Sequence, residues 1–513
     1  MNNTRIPIKE HHKFLGVHLD NKLTYKIHIN DTIAKAKIKV NILKTIARKR
    51  SGAHPAQMLR IMKAIVRPHL DYGLSIIAAA ANTLFTKLET VLLLAIRVAM
   101  RLLNSTPNQV VLYEAGELPL KLRAEYLTIK EITKALYFNN SPITVILREI
   151  TELNYLPRHI SYLEKTVSIH NPLLYQMGNK IKLTQATREI KNKIEIYSEI
   201  KDLKKKNLPE IVQKQKVSEL INAKYSTNYQ LYTDGSIMNS IPGFDYYDPQ
   251  ERRSYSGKLK QGFTITNTEI VAIQKAIEYG ETKNIEELLI LTDSKNACIL
   301  LDGPEESDNY LIIQLINTIT NSRINKIKIQ WIPGHVGITG NERADYAAKL
   351  GTTRNITEEI LFCKNDILTI CKNDILKNWQ DRYETISEEK GKFHFQHSKQ
   401  VSIYPWFEEM NMTTLDTIAL TRIRTGHTAT KDRLALWKIT PNNLCDYCGV
   451  LENLHHILYD CRKHSLIRTN FPPLQNKVQL HKILADRTMK NYKVLALYSK
   501  TPVNRPRFNR SSD

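Results

Sequence analysis

No run of this 513-residue chain is both long and apolar enough to span a bilayer. The most apolar stretches, Gly73 to Phe85 and Val91 to Met100, are too short or too close to charge and read as buried helices. The first residues, Met1 to His12, are polar and charged and form no signal peptide. Cysteine is scarce too. Of six, Cys298, Cys363 and Cys371 are scattered, which excludes a secreted disulfide framework. No internal repeat or low-complexity segment stands out. These absences predict a nuclear or cytoplasmic protein, neither secreted nor held in a membrane.

Acidic residues are also few beside the basic ones: 51 Asp and Glu against 74 Lys and Arg, a net charge of +23. That excess predicts an anionic partner, with nucleic acid the leading class and a generally basic, solvated surface the alternative. It is steepest after Cys461, where the Lys and Arg residues from Arg462 to Arg510 are opposed only by Asp486 and Asp513. The end of that tail, 501–513, reads as disordered.

A chain of this length holds several cores. Lys13 to Asp20 suggests a tight strand or hairpin around Gly16. Asp31 to Arg50, Ala56 to Arg67 and Leu84 to Leu103 read as helices. Residues 150–225 are rich in Lys and Glu. Apolar spacing at Ile190, Ile194, Tyr197 and Ile200 predicts a helix there, broken at Pro209. From about 228 strands and helices alternate. Tyr229–Asp234, Gly243–Asp248, Ser254–Leu259, Leu288–Thr292 and Lys326–Ile332 read as strands. Thr266-x-x-Glu269 looks like a capping box opening a helix, 308–321 reads as another, and Asn341 as the cap of a third. That alternation implies an α/β mixed sheet with flanking helices.

Within it, acidic residues fall at strand ends and in first helical turns. Asp234 stands in Tyr-Thr-Asp-Gly-Ser, Glu269 comes 35 residues later, and Asp293 in Leu-Thr-Asp-Ser 24 beyond that. Gly334-His335-Val336-Gly337 precedes Asn341-Glu342-Arg343-Ala344-Asp345, with His335 ten residues before Asp345. Singly, each reads more readily as a turn, a helix cap or a loop residue. Together they supply the oxygen ligands that two Mg²⁺ or Mn²⁺ ions roughly 4 Å apart require at a phosphodiester.

The set resembles the type 1 ribonuclease H family, which cuts the RNA strand of RNA–DNA hybrids. The resemblance implies that Asp234, Glu269, Asp293 and Asp345 bind the metals. It makes His335 a mobile residue aiding proton transfer or product release. One position departs from it: Asp245 stands where a small residue is expected, and a buried, unpaired Asp would be costly. Either the strand register differs from the family's or this copy is decaying.

The Phe14-Leu15-Gly16-Val17 run, the helices after it and Pro68-His69-Leu70-Asp71-Tyr72-Gly73 resemble the end of a reverse transcriptase of Jockey-like non-LTR retrotransposons. There the hairpin grips the primer and the helices form the thumb. The family's Tyr-x-Asp-Asp polymerase turn is missing from this sequence, so no polymerase activity is expected of it.

Cys445-x-x-Cys448, then seven residues, His456, four residues and Cys461 offer three thiolates and an imidazole, a structural zinc set. His455 is a possible substitute ligand, and a reduced, metal-free loop the bland alternative. The segment resembles the C-terminal Cys-Cys-His-Cys element of the same retrotransposon proteins, Glu452 included. Arg422-x-Arg424-x-Gly426-His427, just before it, also looks like that family. Its arginines read equally as phosphate contacts or as a packed helix-end turn.

The expected organisation is a thumb-like remnant over 1–140, a basic helical linker over 141–225 and a ribonuclease H domain over 226–353. A helical zinc-bearing region over 354–500 and a tail complete it. The expected function is a Mg²⁺-dependent endonuclease on RNA–DNA hybrids within a truncated retrotransposon polyprotein. The alternative is a catalytically inactive nucleic-acid-binding scaffold.

Overall fold

The structure, a computed structural model, describes residues 9–47, 52–138, 142–152, 162–178, 192–203, 208–303, 309–355, 357–486 and 488–497. The tail expected to be disordered lies outside the described residues. Two compact units emerge. Met1–Thr128, Ser161–Leu163 and Asp374–Asp513 form one; Ile129–Ile160 and Glu164–Asn373 form the other. The N-terminal helices and the C-terminal region thus fall in one unit.

In the first unit β1 (His11–Phe14) pairs with β2 (Val17–Asp20) around a two-residue turn. Leu15 and Gly16 both take positive φ, 44° and 85°, as a tight hairpin turn of this kind demands. The Tyr72 hydroxyl donates to the Leu15 carbonyl and fixes the turn. Helices Lys26–Ile46, Pro55–Ile65, Asn82–Met100 and Asn108–Ala115 come next.

The C-terminal part of this unit is joined to these helices through buried polar groups. Arg424, in helix Thr414–Thr425, is fully buried. Its guanidinium reaches the Glu114 carboxylate at 2.9 Å, the Ser398 hydroxyl at 2.8 Å and the Tyr492 hydroxyl at 3.0 Å, and lies over the Trp406 ring. His394 Nε2 stands 2.6 Å from the same carboxylate. Burial alone would raise the Glu114 carboxyl; Arg424 and His394 outweigh it and hold the group down at about 2. His394, buried beside a cation, is pushed below the ordinary imidazole value, so its contact with Glu114 is a neutral N–H donating to a carboxylate. Arg422 donates from Nε and Nη2 to the Arg101 carbonyl, freed where Arg101 turns left-handed and ends its helix. Of the two readings of these arginines, the packed turn holds. Neither is open to a phosphate.

The second unit is built on a seven-stranded sheet in the order β3 (Ile194–Tyr197), β8 (Lys326–Trp331), β7 (Glu287–Thr292), β4 (Tyr229–Met238), β5 (Ile241–Asp248), β6 (Arg253–Leu259), β9 (Thr357–Glu358). β3, β8, β7 and β4 run parallel, and β4, β5 and β6 antiparallel. Leu288 to Leu291 are wholly buried, as a central parallel strand covered on both faces must be. Helix Thr339–Gly351 lies against Tyr232 and Gly243 on one face of the sheet. Helix Ile265–Thr282 lies against Gly235 on the other.

Three local readings are corrected. Ile194–Tyr197 form a strand, not a helix, because the free edge of β8 offers a ladder to a β-branched alternating segment, while Ile190 lies outside the described residues. Pro209 does not end a helix there; it caps helix Glu210–Lys224 at its start. The Ile265–Thr282 helix is capped by Thr264 without a side-chain bond, and the Thr339–Gly351 helix by Ile338. Thr266 and Asn341 are thus inside helices, and Glu269 lies two residues and Asp345 three residues deeper than expected. Among the described residues no helix is long and apolar enough to cross a membrane.

Removing one partner of a buried ion pair costs about 3–5 kcal/mol, whereas replacing both by apolar groups costs little. Arg424→Met is expected to destabilise the first unit by about that amount in denaturant unfolding, and Arg424→Met with Glu114→Leu to recover most of it. A single variant as stable as the parent would show the pair to be dispensable.

Candidate active site and metal centre

Asp234, Glu269 and Asp293 arrive from three elements. Asp234 lies in β4 beside its parallel neighbour β7, Glu269 in the helix packed over Gly235, and Asp293 just past the end of β7. One carboxylate oxygen of each lies within 4.8 Å of the others. Two glycines permit the approach. A Cβ on Gly235 would stand 3.0 Å from the Glu269 nitrogen, and one on Gly334 2.6 Å from Asp293 Oδ2. Asp293 is further held by Asn341 Nδ2, donating at 3.3 Å, and by the Trp331 indole N–H donating to its carbonyl at 3.1 Å.

Asp345 is not in that triad. It converges with His335 and Glu342 in a neighbouring group, again with ligand atoms within 4.8 Å of one another. Its carboxylate accepts from Lys349 Nζ at 2.6 Å, yet its charge is felt by both Asp234 and Asp293. His335 takes a left-handed φ of 55° in the loop before the Asp345 helix. Glu342 has no role in the sequence reading; its place three residues before Asp345 on one helix is the available signal.

The electrostatics follow from crowding. Burial, then Asp293 and Asp345, push the Asp234 carboxyl up to about 8. Burial, then Asp234 and Asp293, raise Glu269 well above its ordinary value, and burial raises Asp293. Glu269 Oε2 is buried with no hydrogen-bond partner. An oxygen-only donor set with an orphaned acceptor suits a hard divalent cation, which would replace the protons these acids otherwise retain.

The second cluster lies in the other unit. Cys445, Cys448, His456 and Cys461 each bring one ligand atom within 4.8 Å of the rest. Gly449, at φ 71°, turns the chain after Cys448, and its N–H bonds the Cys445 carbonyl at 2.9 Å. Cys461 Sγ stands 3.8 Å from Cys445 Sγ and 3.9 Å from Cys448 Sγ. That is far longer than a disulfide and close to the roughly 3.8 Å edge of a tetrahedron with 2.3 Å zinc–sulfur bonds. His456 Nε2 is buried and unpartnered. Burial and the neighbouring thiols push Cys461 up to about 12, while the Arg462 N–H holds Cys448 below its ordinary value. The donor set therefore fits zinc. His455 is not part of it; its Nδ1 stands 3.3 Å from Asp460. Glu452 accepts the Lys431 N–H and braces the loop.

Comparison with protein families finds that residues 226–353 match the RNase H family model. The matched segment runs from just before β4 to the end of the Asp345 helix. Residues 226–353 therefore form an RNase H-like domain.

Asp245 lies within it. β4 and β5 pair without a break from Tyr232 opposite Tyr247 to Met238 opposite Ile241. Asp245 is therefore directly across from Asp234, on the same face of the sheet. It is fully buried, and neither oxygen has a well-aligned hydrogen bond. Burial pushes its carboxyl up to about 8; the Ser254 hydroxyl, Arg354 and the Tyr255 N–H offset this only in part. A carboxyl raised in the folded state keeps a proton that the unfolded chain releases, so its contribution to stability falls as pH climbs from about 4 to about 8. Asp245→Ala is expected to raise the melting temperature of the metal-free protein at pH 8 and to raise it less at pH 5. An equal change at both pH values would show the carboxylate to be solvated or paired.

Proposed function

We propose that residues 226–353 hydrolyse the RNA strand of RNA–DNA hybrids, with Asp234, Glu269, Asp293 and Asp345 as metal-binding carboxylates. The convergence of three carboxylates with raised pKa, from within β4, from just past β7 and from the helix over Gly235, carries this reading, and the RNase H match supports it. Two bound Mg²⁺ or Mn²⁺ ions would supply an activated water and stabilise the leaving oxygen. The protein's own part is to hold the carboxylates in register on a rigid sheet. Asn341 and Trp331 orient Asp293, and Lys349 balances the charge of Asp345. His335, on its left-handed loop, would accept or return a proton at the phosphate oxygens. Recognition would rest on the backbone and the 2′-hydroxyls of an A-like hybrid.

The glycine-turn hairpin and the helices after it are consistent with a reverse-transcriptase thumb remnant, in a chain derived from a retrotransposon polyprotein. Such a remnant would not extend a primer. Asp245 favours a second reading, a scaffold that keeps the RNase H fold and binds nucleic acid without cutting it. The Cys445, Cys448, His456 and Cys461 set we take as structural zinc, because all four ligands are used and none is left for a substrate.

Cleavage of a labelled hybrid in Mg²⁺ separates the two readings. Asp293→Asn should lose more than the roughly 10–100-fold that removing an outer support of a metal ligand costs, with single- and double-stranded RNA uncut throughout. Binding without cutting in the parent would favour the scaffold. Metal analysis of the purified chain should find about one zinc per chain, reduced in Cys448→Ser. No zinc in the parent would leave a reduced thiol loop.

A further inference from the structure

The Arg-x-Gly-His turn also borders open space. It forms one wall of a cleft of about 660 Å³ in the C-terminal part of the first unit. Arg424 is sealed below it, Gly426 ends the helix at φ 70°, and His427 lines the cleft. A Cβ on Gly426 would stand 2.8 Å from the Phe393 ring, so the missing side chain lets that ring form part of the lining. The opposite side comes from the zinc-set loop and the helical segments after it, including His455, Tyr459 and Lys477.

Its charge is of one sign. Lys392, Arg433 and Lys477 line the cleft, and no Asp or Glu among the described residues does. Lys477 is partly balanced by Asp460, at 3.2 Å. Lys392 and Arg433 are exposed and form no ion pair among the described residues. The cleft also offers flat π surface. Phe393 lies on one side, and the His455 and Tyr459 rings lie 4.8 Å apart on the other.

We propose that this cleft binds single-stranded nucleic acid, with Lys392 and Arg433 on successive phosphates and a base against the His455 face. Unpaired cations beside rings are what a sequence-tolerant single-strand groove requires. The volume is that of a pocket for one small ligand and admits a nucleotide or two, not a duplex. An acidic peptide would use the cations but has no call on the rings. The inference does not rest on the cleavage reading, because the cleft belongs to the other compact unit and an uncleavable strand tests it.

The test is anisotropy of a labelled oligo-dT dodecamer on the full chain, titrated over a range of salt. Lys392→Ala with Arg433→Ala should weaken binding about tenfold and flatten the log–log salt slope by about 1.4, the value for two lost single-strand phosphate contacts. Lys37→Ala with Lys482→Ala removes equal charge from exposed sites outside the cleft and should cost less than about twofold. His455→Ala should weaken binding with zinc content and melting temperature unchanged. A cleft variant that falls no further than the control pair would overturn the proposal. So would displacement of the oligonucleotide by poly-glutamate as readily as by unlabelled oligo-dT, since the site would then read charge alone.

Discussion

Mutual repulsion among buried carboxylates governs the RNase H domain. Asp234 and Glu269 are buried and Asp293 half-buried, with one oxygen of each within 4.8 Å of the others. As anions they would oppose folding; as acids they are tolerated, and burial pushes Asp234 up to about 8. The sheet supplies the rigidity that keeps them together. β7 and β4 are parallel neighbours whose ladder ends at Thr233 opposite Thr292, so the next residue on each, Asp234 and Asp293, lands side by side, and the helix over Gly235 delivers the third. A fold that holds acids against their preference is one in which a cation gains more than it would on an open surface.

The chain resolves the same problem in different ways. Glu114 is as buried as Glu269, but Arg424 and His394 surround it, and its carboxyl is held at about 2. Asp366 is buried too and is satisfied by neutral donors, the Asn267 amide and the Thr264 and Cys363 N–H groups. Asp245 has neither solution. Across the sheet from Asp234, it accepts no well-aligned bond. Beside Glu114 and Asp366, Asp245, which Ser254, Tyr255 and Arg354 offset only in part, marks a place where local and global preferences conflict.

Much of this was legible in the sequence. The strands at 229, 243, 254, 288 and 326 could be read because buried parallel strands are short apolar runs and antiparallel ones alternate. The carboxylate order could be read because chemistry fixes residue type and topology fixes spacing. Asp245 was visible as a charge where a small residue belonged. What could not be read depended on partners distant in sequence. β3 exists because β8 has a free edge, which no local pattern announces. Arg424 read equally as a phosphate contact and as part of a packed turn, because nothing in Arg-Thr-Gly-His points 310 residues back to Glu114. Glu342 was within a motif already quoted, but its convergence with His335 depends on the loop's left-handed turn.

The two ligand sets also differ in what they ask of the protein around them. The carboxylates are positioned by a sheet that folds for its own apolar reasons, so their geometry precedes any ion. Cys445, Cys448, His456 and Cys461 lie on a short turn, a single β-bridge between Leu444 and Leu451, and an irregular helical turn at His456–Asp460. Little apolar surface is available there to fix four donors. The core behind them takes in Ile457 and Leu458, between His456 and Cys461, but Tyr447, Val450 and Leu451 at the other end of the loop are exposed. A zinc ion held there would couple its binding to the ordering of the Cys445–Cys448 end, whereas the sheet needs no ion to position its carboxylates.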